Sequence, residues 1–153
     1  MIRFLLVFSI VSSSALGSGA AQQAEVSQQP IKVSSQIIAA RLLRAVPPKR
    51  VKIPKCSNAM VTLDVIIGED GTVQSLKVVG GWQKFTESAI PAVKRWTYRP
   101  YLLNGVATAV ETEVLVFYPS TGNPGPLFVP DGQGGVKGGK FHPMPTECAD
   151  RNK

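Results

Sequence analysis

The stretch VTLDVIIGEDGTVQSLKVV, residues 61–79, leaves the chain little choice of local structure. Val61, Leu63, Val65 and Ile67 alternate with Thr62 and Asp64, and a period of two places the apolar side chains on one face of a strand. Gly68-Glu69-Asp70-Gly71 follows, and Asp-Gly tolerates the positive φ angles that a tight reversal demands. Thr72 to Gly80 then returns as an antiparallel partner. An isolated hairpin is marginal in water, so this one needs a further strand and a cover for its apolar face.

Two later stretches meet that need. Phe85, Ala89, Val93 and Trp96 recur at helical spacing along one side, which predicts a helix over 86–96. Thr86 or Ser88 can cap its start with a hydroxyl. A start near Ser88 puts Pro91 in the first turn, where the donor it lacks would be orphaned anyway; an earlier start implies a slight kink. Pro100 keeps Arg99 out of helix, so TYRPYLL is extended, and Asn104-Gly105 turns the chain. In AVETEVLVFY, residues 109–118, Val110, Thr112, Val114 and Val116 share one strand face, with Glu111, Glu113, Leu115 and Phe117 on the other. The predicted class is α+β: a small antiparallel three-stranded sheet with one or two helices packed on one face, spanning residues 37–119. Trp96 and Tyr98 are expected to pack the helix end onto the sheet, each burial contributing about 1.5–3 kcal/mol. Lys94, Arg95 and Arg99 then lie near the helix C-terminus, where cations complement its dipole.

The ends read differently. Residues 1–21 have the form of a secretory signal: Arg3, an apolar run from Phe4 to Leu16, and small residues at Gly19 and Ala21. The alternative, anchorage in the inner membrane by residues 4–16, has to contend with the Ser12-Ser13-Ser14 interruption and the roughly 20 apolar residues that a span needs. Residues 22–36 are glutamine-rich and read as a polar linker. Residues 37–46 could form a turn or two of helix ended by Pro47 and Pro48, with an irregular stretch after them. Residues 120–153 are rich in Gly and Pro, offer little apolar burial against the cost of ordering them, and read as a flexible tail. In an oxidising compartment Cys56 and Cys148, the two cysteines of the sequence, are expected to join in a disulfide.

The net charge is +7, and seven Lys or Arg with no Asp or Glu lie between Lys32 and Lys55. A basic surface of Arg41, Arg44, Lys49, Arg50, Lys52 and Lys55 suits either a solvated face or an anionic partner, lipid or polysaccharide before nucleic acid in an exported protein. Enzymatic function is not expected. The sole histidine, His142, falls in the tail, so a Ser or Cys nucleophile has no rigid acid–base partner. Glu69 and Asp70 are explained by the turn, and Glu111 and Glu113 by a strand face. No Gly-rich loop opens a helix, and two cysteines without a neighbouring histidine make no zinc site. No cofactor, metal or small-molecule substrate is implied.

The segments GEDGTVQSLKVVGG and ESAIPAVKRWTYRPYLLNGVATAVETEVLVFYP resemble the C-terminal domain of TonB-family proteins. The resemblance rests on Asp70-Gly71-Thr72-Val73, the helix ending at Trp96, Tyr98-Arg99-Pro100, Asn104-Gly105 and the alternating Val110–Phe117, in that order and spacing. VSSQIIAARLLRAVPP resembles the lead-in of such proteins, whereas KRVKIPKCSNAM lacks the usual Tyr-Pro and alanine-rich helix. The resemblance implies a periplasmic module that binds an outer-membrane transporter, or another envelope protein, by adding an extended peptide to a sheet edge. The expected receiving edge is Val110, Glu111, Thr112, Glu113, Val114, Leu115, Val116 and Phe117; pairing with a second copy through the same edge is left open. A complete transducer also has an inner-membrane helix and a long Pro-rich spacer. Here a cleavable-looking leader and a short linker stand instead, so docking rather than force transmission is expected.

Overall fold

A computed structural model describes residues 29–54 and 56–139. The predicted leader over 1–21, Lys55, His142 and Cys148 lie outside the described residues. In chain order the elements are β1 (Ile31–Lys32), α1 (Ser35–Ala39), β2 (Leu42–Arg44), β3 (Ala59–Ile67), β4 (Val73–Gly80), α2 (Gln83–Val93), β5 (Thr97–Tyr98), β6 (Leu102–Leu103), β7 (Val106–Ala107), β8 (Val110–Tyr118), β9 (Gly125–Pro126), β10 (Phe128–Pro130) and β11 (Val136–Gly138). The main sheet runs β1-β8-β3-β4, with β9 also paired to β8. β3 is its axis: it pairs antiparallel with β4 and, from Ala59 opposite Tyr118 to Ile67 opposite Val110, with all of β8. The α+β class is as predicted, but the sheet has five strands rather than three.

Alternation in β3 and β8 does what a period of two requires. Val61, Leu63, Val65 and Ile67 from β3 and Val110, Thr112, Val114 and Val116 from β8 are all buried on one face. Phe85, Ala89 and Val93 of α2, with Trp96 just beyond it, cover that face. Two polar atoms of the aromatics are satisfied by backbone carbonyls: Trp96 Nε1 donates to Val46 at 2.8 Å and the Tyr118 hydroxyl to Phe85 at 3.0 Å. Thr112 is the exception, its buried hydroxyl having no hydrogen-bond partner.

The first turn is one residue longer than a simple two-residue reversal. The Gly71 N–H donates to the Gly68 carbonyl and the Gly68 N–H to that of Thr72, and of the turn residues Gly71 alone has a positive φ, +80°. This is a type I turn closed by a left-handed residue, a geometry that favours glycine. Asp70 Oδ1 accepts from the Thr72 N–H at 2.9 Å and the hydroxyl at 2.8 Å. These bonds favour the ionised carboxylate, the backbone one most, and hold Asp70 below its usual pKa. Asn104 and Gly105, φ +52° and +84°, close the β6–β7 hairpin as predicted.

Four boundaries differ from the sequence reading. α2 begins at Gln83, not near Ser88, because burying Phe85 completely requires it to be on the helix. Pro91 therefore lies inside α2, and past Val93 the chain tightens, with Arg95 and Trp96 bonded three residues back. Thr86 does not cap: its hydroxyl donates to the Gln83 carbonyl within the helix. Of the stretch read as a first helix, Leu42–Arg44 is instead strand β2, paired with β5. Ile31–Lys32, read as linker, is strand β1, and residues 125–138, read as tail, supply β9 and the β10–β11 hairpin. Short pairings, onto β8 for β1 and β9 and between short strands for the rest, satisfy these backbone groups without needing apolar alternation, which is why composition misplaced them.

Candidate partner-binding site

A strand offers a docking edge only where its outward backbone groups lack a partner. β8, the expected edge, has β3 along one side for its whole length. Its other side is taken at both ends. β1 runs parallel to it, Ile31 beside Val110 and Lys32 beside Glu111, with the Val33 N–H donating to the Glu111 carbonyl at 2.9 Å. At the far end β9 places Gly125 beside Phe117, and the Leu127 N–H donates to the Leu115 carbonyl at 2.9 Å. Only the stretch Thr112–Val114, centred on Glu113, lies between these two cover segments. The gap beside it is a cavity of about 20 Å³, lined among others by Ile38, Trp96, Tyr98 and Phe128, which is room for about one water molecule. Val110–Phe117 is thus an interior strand rather than a free edge.

β4 is the reverse case. It pairs with β3 on one side and, among the described residues, with no strand on the other. An isolated bridge joins Thr72, just before β4, to Thr97 of β5. The far end is apolar and open: Val79 is 54 % exposed, Val78 is exposed, and Trp82, just past Gly80-Gly81, is 70 % exposed. The sequence reading did not single out this edge. Its trace is VVGGW, two consecutive valines that break alternation before a tryptophan outside the helix face.

The remaining expected residues separate. Trp96 and Tyr98 are buried anchors, and burial raises the Tyr98 phenol well above its ordinary pKa. Pro100 accepts from Arg41, whose guanidinium also stacks 5.1 Å from the Tyr101 ring centre. Arg41 is therefore a half-buried brace. Arg44, Lys49, Arg50 and Lys52 are exposed. Among the described residues, no three His, Cys, Asp or Glu side chains gather as metal ligands, and no helix is long and apolar enough to cross a membrane.

β3, β4 and β8 form an antiparallel sheet covered by an aromatic-anchored helix, with β4 as its open edge. Residues 57–118 match the family model of the Gram-negative bacterial TonB protein C-terminal, and their α+β fold is consistent with a domain of that type. The family is transport-associated and non-catalytic, a module of the cell envelope. No curated protein matches the chain. The matched stretch contains β3, β4, α2 and β5 to β8; the segments that cover β8, namely β1 and β9, both lie outside it.

Proposed function

We propose that the protein is an exported, non-catalytic binding module that docks onto an outer-membrane transporter by strand addition, and that the receiving edge is β4. The observation that carries this reading is the open side of Val73–Gly80, ending in exposed Val78, Val79 and Trp82. Edge strands of this length and apolarity are usually blunted or covered. Here Lys77 is the only charge on the strand. An incoming extended peptide would gain backbone hydrogen bonds along β4, and the alternating side chains would set its register. The same reading takes residues 1–21 as a cleaved leader. It also takes Cys56 as bonded to Cys148, in line with Cys56 not being a free thiol and Cys148 being the other cysteine of the sequence.

The test is a pull-down from detergent-solubilised envelope of the protein's own source, at low and high salt, comparing the wild type with Val79→Lys. A transporter held by the wild type at high salt and lost from the variant is the expected result, because strand addition is weakly screened whereas charge pairing is not. Equal retention by the variant would remove β4 from the interface, and recovery of no envelope protein at high salt would remove strand addition altogether.

A further inference from the structure

We infer that the outer face of α2, together with Trp82 between β4 and the helix, is a docking surface for an anionic lipid bilayer. The segment after β2 runs back along the helix in the opposite direction. Val46 accepts from Trp96 Nε1, the Ser88 hydroxyl donates to the Lys49 carbonyl at 2.7 Å, and the Lys84 ammonium to the Lys52 carbonyl at 3.5 Å. This strap brings Arg44, Lys49, Arg50 and Lys52 beside Lys84, Lys94 and Arg95 of the helix region, all seven exposed. Neither segment alone shows this convergence.

Glu87 is the sole carboxylate that the strap and helix contribute. Asp64, Glu111 and Glu113 occupy the opposite sheet face, and Glu69 and Asp70 the hairpin turn. Among the described residues, the one ion pair is Lys32 with Glu111. The cations of the α2 face are steadied instead by neutral acceptors: Arg50 Nε donates to Asn123 Oδ1 at 2.9 Å and Arg95 Nε to the Pro91 carbonyl at 3.2 Å. Such bonds order the side chains and leave their charge uncancelled.

Charge alone fits any polyanion; the aromatic selects the bilayer. Trp82 stands 70 % exposed at the start of α2, with the Lys84 ammonium 5.9 Å from its ring centre. Met60, 47 % exposed, opens β3 at the same end, its carbonyl lying close to Gly81. An indole with an apolar body and polar N–H, set beside lysines, is suited to the headgroup layer, with the cations against anionic headgroups.

The test uses the purified protein with vesicles of phosphatidylcholine, with and without phosphatidylglycerol, followed by co-sedimentation and tryptophan emission. Trp96 is 1 % exposed, so a blue shift reports Trp82. Binding only to the phosphatidylglycerol vesicles, reversed by salt and accompanied by a blue shift, is the expected result. Lys49→Gln with Arg50→Gln and Lys52→Gln should weaken it about a hundredfold, each cation near the surface being worth roughly fivefold. Trp82→Ala should weaken it and abolish the shift. Lys94→Gln, outside the strap, should weaken it without disturbing strap packing. Equal binding to both vesicle types, no binding, indifference to these substitutions, or retention on an anionic polysaccharide without vesicle binding would each overturn the inference.

Discussion

Gly71→Ala and Gly105→Ala form a matched pair that isolates the contact between the first hairpin and β5. Both glycines are left-handed, φ +80° and +84°, so an added Cβ costs each about 1–2 kcal/mol, offset by a few tenths from the stiffer unfolded chain. At Gly105 nothing lies within 4 Å of that Cβ. At Gly71 it would collide with the Tyr98 carbonyl oxygen, a backbone atom that cannot swing aside. Relief requires β5 to retreat, breaking the 2.8 Å bond from the Tyr98 N–H to the Gly71 carbonyl and the Thr72–Thr97 bridge. At about 0.5–1.5 kcal/mol per hydrogen bond, the expected cost is ~3 kcal/mol for Gly71→Ala against ~1 kcal/mol for Gly105→Ala. Urea unfolding followed by circular dichroism measures both, with an unchanged m-value showing that the unfolded state is not the cause. Equal costs at the two sites would show that the hairpin turn is not clamped by β5.

Thr112→Val should stabilise the protein by about 1 kcal/mol, raising the melting temperature by several degrees, because it removes a buried hydroxyl without a partner at nearly constant volume. Asp70 has a folded pKa below its unfolded value, so its contribution is present above the ordinary carboxylate range and lost as pH falls through the folded pKa. Asp70→Asn should accordingly flatten the fall in melting temperature between neutral and acid pH. If Cys56 and Cys148 are bonded, Cys148→Ser should cost up to roughly 4–5 kcal/mol of stability in non-reducing buffer, a loss that the reduced wild type reproduces; unchanged melting would exclude the bond.

The two long strands, the Asp-Gly and Asn-Gly turns and the aromatic anchor were legible because each is fixed by local rules: alternation, positive φ, helical spacing. What covers β8 was not, because Ile31–Lys32 and Gly125–Pro126 are too short and too polar or Gly/Pro-rich to carry a pattern of their own. They are strands only because β8 provides a partner. For the same reason the sequence does not reveal which strand is outermost, since that depends on those additions rather than on the strand itself. The basic run was visible as a run, but the strap hydrogen bonds, not the composition, reveal that it shares a face with Lys84, Lys94 and Arg95.

Exchange rates of individual backbone amides, followed by NMR in deuterated buffer, decide which edge is open. With β1 and β9 in place, the amides of Val33 and Leu127 and those of β8 other than Glu113 should be protected, while alternate amides along β4 exchange rapidly from its unpaired side. Uniform protection along β4 together with rapid exchange at Val33, Leu127 and outward amides of β8 would contradict this, and would return the docking edge to Val110–Phe117.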